Sequence, residues 1–206
     1  MNQFIDFLIN AGRLKSLKRR GWVLRNVKNP ESIADHTFRL ALMAWLLGQE
    51  QGLNSAKLVK MALVHDLCEI YSGDATPYDS FAGKSKQELR QILKSWPRFP
   101  KEKKEKIFSR KYQKEKKGLE KLVAKLPLRS RSEIRSLWLD YEKGLTREGR
   151  FMRQIDKLEN LLQALEYWQK DKDFPIGPWW IQIRELIDNH LLIEFISGLG
   201  KKFSKK

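Results

Sequence analysis

Residues 58–79 constrain the fold most, because this stretch places ionisable side chains inside an apolar helix pattern. It reads LVKMALVHDLCEIYSGDATPYD, and its first half is apolar on nearly all sides. A helix of that kind is normally buried. His65, Asp66 and Glu69 nevertheless lie within it, and a buried charge is costly unless it is paired or bound to a metal.

Imidazole and carboxylate side chains together form a ligand set that first-row divalent metals accept. In a continuous helix His65 and Glu69 are one turn apart, so they share a face. Gly73 and Asp74 follow with a turn and a further carboxylate. The stretch predicts a metal-dependent active site, with a hydrogen-bonded core histidine as the structural alternative.

The 206-residue chain is long enough for one domain with a substantial core. Helix-forming residues dominate, and no run of alternating apolar and polar residues indicates a strand, so we expect an all-α fold. The single cysteine, Cys68, excludes an intramolecular disulfide and a cysteine-rich zinc site. The sequence shows neither a membrane-span pattern nor a signal peptide, and we therefore expect a cytoplasmic protein.

The net charge of +16 is concentrated in one part of the chain. Between Lys84 and Arg131 there are 18 Lys or Arg and 5 Asp or Glu. We interpret this segment, at about 84–131, as a basic helical insertion within a single domain spanning residues 1–206. Such a run is usually a solvated excursion, but it could instead bind a polyanion such as nucleic acid.

A helix is predicted to begin after Pro30. Ser32 can cap it, with Asp35 three residues later, in the pattern of a capping box. His36 lies in the first turn, where it is either a surface residue near the cap or a ligand. The predicted apolar stripe of this helix consists of Phe38, Ala41, Leu42, Trp45 and Leu46.

The N-terminal segment from Met1 to Leu17 is predicted to be an amphipathic helix that ends in a basic Lys18-Arg19-Arg20 run. Such a run is either a solvated helix end, where cations complement the dipole, or a phosphate site. In the second interpretation Arg20 contacts the phosphate, and Trp22 offers a flat apolar wall for a sugar or base.

Two helices are predicted in the C-terminal part, at 148–169 and 179–199. The first has an apolar stripe along one face, formed by Phe151, Ile155, Leu158, Leu162 and Leu165. Asp156 lies about 100° away from Ile155 around this helix, so spacing alone does not distinguish it from a solvated acid. In the second helix, Trp180, Ile183, Leu186 and Ile187 are expected to pack on the core.

Four motifs occur in chain order: RRGW at 19–22, PESIADH at 30–36, LVHDLCEIYSGDATPYD at 63–79 and FMRQIDKLENLLQALEY at 151–167. Together they resemble the HD-domain phosphohydrolases, and in particular the 5′-deoxynucleotidases. Those enzymes remove the phosphate from deoxyribonucleoside 5′-monophosphates. The resemblance implies an HD-domain helical bundle and a small nucleotide substrate.

By this resemblance, a divalent metal ion (Mn, Co, Mg, Zn or Fe) is held by His36, His65, Asp66 and Asp156. The assignment of Asp156 comes from the family match and not from periodicity. No residue in this set indicates which of these metals is the native one.

The resemblance also assigns the reacting groups. Glu69 matches the catalytic carboxylate, and Asp74 matches the acid of the Gly-Asp loop. In some relatives the residues matching Glu69, Asp74 and Ala75 hold a second metal. Arg20 and Trp22 match the positions that contact the phosphate and the deoxyribose, with Arg19 or Lys18 as the alternative phosphate contact.

Three expectations remain open at this point. The substrate could be another phosphorylated nucleotide, because the basic segment is longer than the family pattern suggests. The chain could instead be a nucleic-acid-binding protein that uses its Lys-rich segment. HD proteins often self-associate, so a homodimer is a further expectation, although no residue specifies its interface.

Overall fold

The computed structural model describes residues 1–81 and 83–204, and in these ranges the chain is helical without any β-strand. Two 3₁₀ helices occur, at Gly12–Lys15 and Pro77–Phe81. The α-helices are α1 Asn2–Ala11, α2 Arg20–Leu24, α3 Ile33–Glu50, α4 Ser55–Val64, α5 Glu69–Ser72, α6 Lys86–Ile92, α7 Lys101–Val123, α8 Leu128–Lys143, α9 Arg147–Lys170, α10 Gly177–Leu186 and α11 His190–Ser204. The predicted all-α class is confirmed.

Helix α9 is the central element, because α3, α4, α8, α10 and α11 all pack against it. A helix surrounded in this way buries side chains around most of its circumference. Its buried apolar residues include Phe151, Met152, Ile155, Leu158, Leu161 and Leu165. Asp156 and Glu159 are enclosed with them, at 3% and 0% exposure. Asp156 is therefore a core residue, although it lies beside the predicted stripe.

Helix α3 begins as predicted but turns a different face to the core. The Ser32 hydroxyl accepts a hydrogen bond from the Asp35 backbone N–H at 3.1 Å, and the Asp35 carboxylate accepts one from the Ser32 N–H at 2.8 Å. This capping box fixes where the helix starts. The buried residues of α3 are Ile33, His36, Leu40, Met43, Ala44 and Gly48.

The prediction that the apolar stripe of α3 faces the core is wrong. Phe38 is 67% exposed, and Leu42, Trp45 and Leu46 are exposed too. Apolar residues cover most of this helix, so the pattern alone does not choose between its two faces. The observed face is the one that packs on α4 and α9.

The predicted continuous helix through His65 is also wrong. Helix α4 ends at Val64, and residues 65–68 form turns before the short helix α5. The Glu69 N–H donates to the Asp66 carbonyl at 3.0 Å, a three-residue spacing tighter than an α-helix. Gly73 then ends α5 with a φ of 72°, a value that favours glycine.

The basic segment does not form a uniform solvated excursion. Residues 101–110 of α7, all of them described, include no buried side chain, whereas the second half of the helix packs against α5. That half buries Glu115, Gly118, Leu119, Leu122 and Val123. The second half of α7 thus contributes to the core, and the insertion at about 84–131 stays a prediction.

Two other predicted helices are divided. The N-terminal helix ends at Ala11 and continues as the 3₁₀ turn, and the closing helix breaks between Leu186 and His190. Leu186 is exposed, contrary to expectation, whereas Trp179, Ile183 and Ile187 are buried. Across the described ranges, none of the helices has the length and apolar character needed to cross a membrane.

Gly118 allows α7 and α5 to approach closely. A Cβ at this position would lie 2.7 Å from the Cys68 carbonyl oxygen, a backbone atom. Gly118→Ala should therefore lower the free energy of unfolding by about 1–3 kcal/mol, as overpacking does. Urea denaturation followed by circular dichroism measures this change.

Gly198→Ala is the matched control for this prediction. Gly198 is an exposed helical residue, and a Cβ there meets nothing within 4 Å. That change should stabilise the chain by up to about 1 kcal/mol, because alanine favours the helix. Equal changes in the free energy of unfolding for the two variants would contradict the close approach of α7 to α5.

Candidate metal centre

Four predicted ligands converge from three parts of the chain. His36 comes from α3, His65 and Asp66 from the turns after α4, and Asp156 from α9. The Nε2 atom of His36 lies 3.3 Å from His65 Nε2 and 3.3 Å from Asp156 Oδ1. Asp66 Oδ2 lies 3.0 Å from His65 Nε2 and 3.9 Å from His36 Nε2.

The second nitrogen of each imidazole is held by an acceptor. Nδ1 of His65 donates to the Ala62 carbonyl at 2.7 Å, and Nδ1 of His36 bonds to a Glu159 carboxylate oxygen. In the neutral rings both protons are therefore on Nδ1, and both Nε2 lone pairs point into the same space. Two lone pairs beside two carboxylates form an electron-rich cluster that suits a cation.

Burial and the Arg19 guanidinium lower the pKa of His36, but Glu159 and Asp156 outweigh them and raise it to about 10. The surroundings that hold a proton on this ring also favour a metal cation at Nε2. Burial opposes ionisation of Asp156, yet Lys157 and His36 bring the pKa of that carboxyl well below its usual range. Asp156 is thus an ionised carboxylate.

Asp156 is fixed by hydrogen bonds to its outer oxygen. The Tyr141 hydroxyl donates to Oδ2 at 2.9 Å, and Lys157 Nζ donates to the same atom at 2.7 Å. The Asn160 amide donates to Oδ1 at 3.3 Å. These bonds leave Oδ1 directed toward His36, in the position of a ligand atom.

Arg19, and not Arg20, is the basic residue that enters the cluster. Its Nη1 donates to Asp66 Oδ2 at 3.0 Å, and its Nη2 donates to Asn160 Oδ1 at 2.8 Å. Burial lowers the pKa of Arg19, but Asp74, Asp66, Glu69 and Asp156 outweigh it and raise the pKa well above its usual value.

Arg20 turns away from the cluster, toward the Gly-Asp loop. Its Nε bonds to Asp79, and its backbone N–H donates to Asp74 Oδ2 at 2.7 Å. The side chain is exposed, so it does not reach the converging ligands. Of the two arginines, Arg19, which was the alternative phosphate contact, is therefore the one that lies beside the predicted ligands.

Trp22 is also placed differently from the prediction. The residue is 2% exposed, and its ring stacks on Trp179 at a centroid distance of 5.0 Å. Its Nε1–H donates to Glu31 at 2.8 Å. An indole enclosed in this way does not offer a face to a sugar. Trp22 is thus part of an aromatic cluster in the core and not the predicted apolar wall of a substrate site.

Glu69 lies beside the predicted ligands and has a carboxylate oxygen without a partner among the described residues. It is buried, and its Oε2 atom has no hydrogen-bond partner among the described residues. Burial, with Asp66 and Asp74 nearby, raises the pKa of Glu69 well above its usual value. An orphaned buried carboxylate oxygen needs an explanation, and a cation or a bound water would supply one. Asp74 and Ala75 follow in the partly buried loop after Gly73.

Sequence reasoning missed Glu159 and Asn160. Glu159 is three residues after Asp156, so the two share a face of α9, and this spacing could have indicated Glu159. Asn160 carried no local signal, because its role depends on Arg19, which is 141 residues away in the chain.

The residues present fit a divalent metal ion. His36, His65 and Asp156 each offer one ligand atom, and these atoms lie within 4.8 Å of one another. Two imidazoles with carboxylates suit Mn, Fe, Co or Zn, while the oxygen-rich side of the cluster suits Mg.

The family model described as HD domain matches residues 11–177 of this chain. The chain belongs to the HD domain family. It is 35% identical over 168 residues to the 5'-deoxynucleotidase HDDC2 of Xenopus laevis, covering 82% of this chain and 71% of that protein. It is also 35% identical over 163 residues to the human 5'-deoxynucleotidase HDDC2, covering 79% and 67%.

Solved structures have the same fold. A conserved hypothetical protein from Pyrococcus furiosus superposes with a TM-score of 0.65 at 25% identity, covering 98% of this chain and 99% of that one. A predicted metal-dependent phosphohydrolase from Magnetospirillum magnetotacticum has a TM-score of 0.58 at 24% identity, covering 81% and 72%. The HD-domain fold expected from the motifs is thereby confirmed.

A further buried carboxylate, Glu31, lies close to His36 and Glu159. It accepts from Trp22, and its own backbone N–H donates to the Tyr167 hydroxyl at 2.9 Å. Burial and the nearby Glu159 raise the pKa of Glu31 from 4.5 to about 7. The folded chain therefore holds a proton that the unfolded chain releases.

This difference predicts a pH dependence of stability. The contribution of Glu31 to the free energy of unfolding is fully present below pH 4.5 and is lost as pH rises to about 7. The loss has a slope of up to about 1.4 kcal/mol per pH unit. Denaturation of wild type and Glu31→Gln across this range measures it. The variant should show the flatter profile, and parallel profiles would exclude the raised pKa.

Proposed function

We propose that this HD domain is a metal-dependent phosphohydrolase that removes the 5′-phosphate from deoxyribonucleoside monophosphates. The observation that carries the proposal is the convergence of two histidines, two ionised aspartates and the Arg19 guanidinium at one buried point. The relatives named 5'-deoxynucleotidases support the substrate class.

His36, His65, Asp66 and Asp156 would hold the metal. A bound divalent ion supplies charge that polarises the phosphate and lowers the pKa of a water molecule. Glu69, Asp74 and the backbone of Ala75 would hold a second ion where one is used. The unpartnered Oε2 of Glu69 supports this role or that of a proton acceptor.

Arg19 would bind the non-bridging phosphate oxygens. A guanidinium presents its donors in a planar fork that matches phosphate geometry. In the structure this fork contacts Asp66 and Asn160, so it already lies beside the ligand cluster. A phosphate placed against it would be positioned next to the metal ligands.

Two carboxylates would move the protons of the reaction. Burial, Asp66 and Asp74 favour the protonated form of Glu69, whereas the charge of a bound cation would favour its ionised form. The ionised carboxylate would accept a proton from the attacking water as the water oxygen forms a bond to phosphorus and the bond from phosphorus to the 5′-oxygen breaks. Asp74 would orient the water or assist protonation of the departing 5′-oxygen. The proton taken by Glu69 would return to the departing 5′-oxygen, directly or through Asp74, and the products would be inorganic phosphate and a deoxyribonucleoside.

Phosphate release from deoxy- and ribonucleoside monophosphates tests the function. Protein freed of metal should be inactive and should recover activity with one or more of Mn, Co, Mg or Zn. Asp66→Asn should reduce kcat by at least about 10²-fold, because it removes an ionised ligand. Equal activity on deoxy- and ribonucleotides would change the proposed substrate. Absence of phosphate release with every metal would refute the proposed enzymatic function.

The two arginines provide a sharper test of the site. Arg19→Ala should lower kcat/KM by about 10²-fold, as loss of a charge-stabilising donor does. Arg20→Ala should change it far less, because its side chain is exposed and pairs with Asp79. Steady-state kinetics decides between them, and a larger loss for Arg20→Ala would restore the original sequence prediction.

The expected homodimer stays a prediction. The exposed apolar side chains of α3, namely Phe38, Leu42, Trp45 and Leu46, form the surface through which we propose that two copies associate. An exposed apolar stripe on a helix is typical of such contacts.

A further inference from the structure

We infer that Glu159 and Arg39 form a clamp that positions His36 as a metal ligand and so sets the affinity of the centre for its metal. The two residues hold the ring from the side opposite the converging ligands. This inference rests on the proposed metal-dependent function, but it concerns metal binding, which can be measured without substrate.

The clamp begins at the buried carboxylate of Glu159, which has 0% exposure. One oxygen bonds to His36 Nδ1, and the other accepts from Arg39 Nε at 2.8 Å. A single buried carboxylate thus joins the imidazole to a guanidinium. Its charge is balanced on both sides, which removes most of the cost of burying it.

Arg39 is itself fixed at all three guanidinium nitrogens. Its Nη2 donates to Gln163 Oε1 at 2.6 Å, and its Nη1 donates to Glu166 Oε1 at 2.8 Å. With Nε on Glu159 and Nη2 on the buried Gln163, the plane of the guanidinium is set without the exposed Glu166 contact. The orientation of the guanidinium therefore fixes the orientation of Glu159, and through it that of His36.

The clamp is built from two helix faces. Arg39 is three residues after His36 in α3, so both point toward α9. On α9, Asp156, Glu159, Gln163 and Glu166 follow one another at intervals of three or four residues. One face of α9 therefore provides both a metal ligand, Asp156, and the carboxylate that orients another, Glu159.

The two histidine ligands are supported differently. Nδ1 of His65 donates to a backbone carbonyl, that of Ala62, which no side-chain substitution removes. Nδ1 of His36 bonds to a side-chain carboxylate, which is a stronger acceptor than a neutral carbonyl. His36 is therefore the ligand whose basicity and orientation a second residue tunes.

The direct test is Glu159→Gln, an isosteric change that removes the charge. Affinity for Co²⁺ and Mn²⁺ is measured by competition with a chromophoric chelator, and the visible absorption of bound Co²⁺ reports the ligand geometry. We expect metal affinity to fall by about 10–100-fold, with an altered Co²⁺ spectrum. Thermal unfolding of the metal-free protein confirms that the variant folds.

Glu166→Gln is the matched control. Glu166 lies on the same helix and pairs with the same arginine, but it contacts only Nη1 and its side chain is 41% exposed. This variant should keep the wild-type spectrum and an affinity within about twofold, because exposed ion pairs contribute little. Equal losses in the two glutamine variants would indicate a general charge effect and overturn the clamp.

Arg39→Lys tests the other half of the clamp, and it stands alone if Glu159→Gln does not fold. Lysine keeps the charge but loses the fork, so metal affinity should fall less than in Glu159→Gln but measurably, with a shifted Co²⁺ spectrum. Wild-type affinity and spectrum in folded variants at both positions would overturn the inference. Wild-type protein that binds metal tightly but releases no phosphate would refute the proposed function alone.

Discussion

The pairing of buried charge around His36 is the constraint on which the rest of the structure depends. Asp156 and Glu159 lie inside the core on the central helix, where an ionised carboxylate is costly without a partner. Each finds a nitrogen of the same imidazole, one on either side of the ring. The two carboxylates can therefore stay buried and ionised only while the His36 ring contacts both of them.

This constraint explains why the chain packs as it does. Helix α3 turns its His36 face toward α9, which leaves the apolar side chains of Phe38, Leu42, Trp45 and Leu46 exposed. The chain must also leave the helical path after Val64, so that His65 and Asp66 meet the same point. Function and packing are coupled at one site, because the residues that would bind a metal are also those that must be neutralised for the core to form.

The basic segment shows how composition can mislead about architecture. Its high lysine content is typical of a solvated surface, and residues 101–110 fit that description. Its second half is amphipathic, and it places Leu119 and Leu122 in the core against the element that carries Glu69. Lysines on the outer face of a helix do not prevent its inner face from supporting an active site.

The sequence by itself determined the helical class and the capping box at Ser32, because these depend on local spacing. Motif chemistry predicted His65 and Asp66 as metal ligands, and His36 became a predicted ligand through the family that the four motifs resemble. Asp156 followed only from the order of four motifs. The tertiary structure decided which face of α3 is buried, that Arg19 and not Arg20 lies beside the predicted ligands, and that Trp22 is enclosed. It also supplied Glu159 and Asn160. Those outcomes depend on contacts between residues far apart in the chain, such as Arg19 with Asn160, and local periodicity carries no information about them.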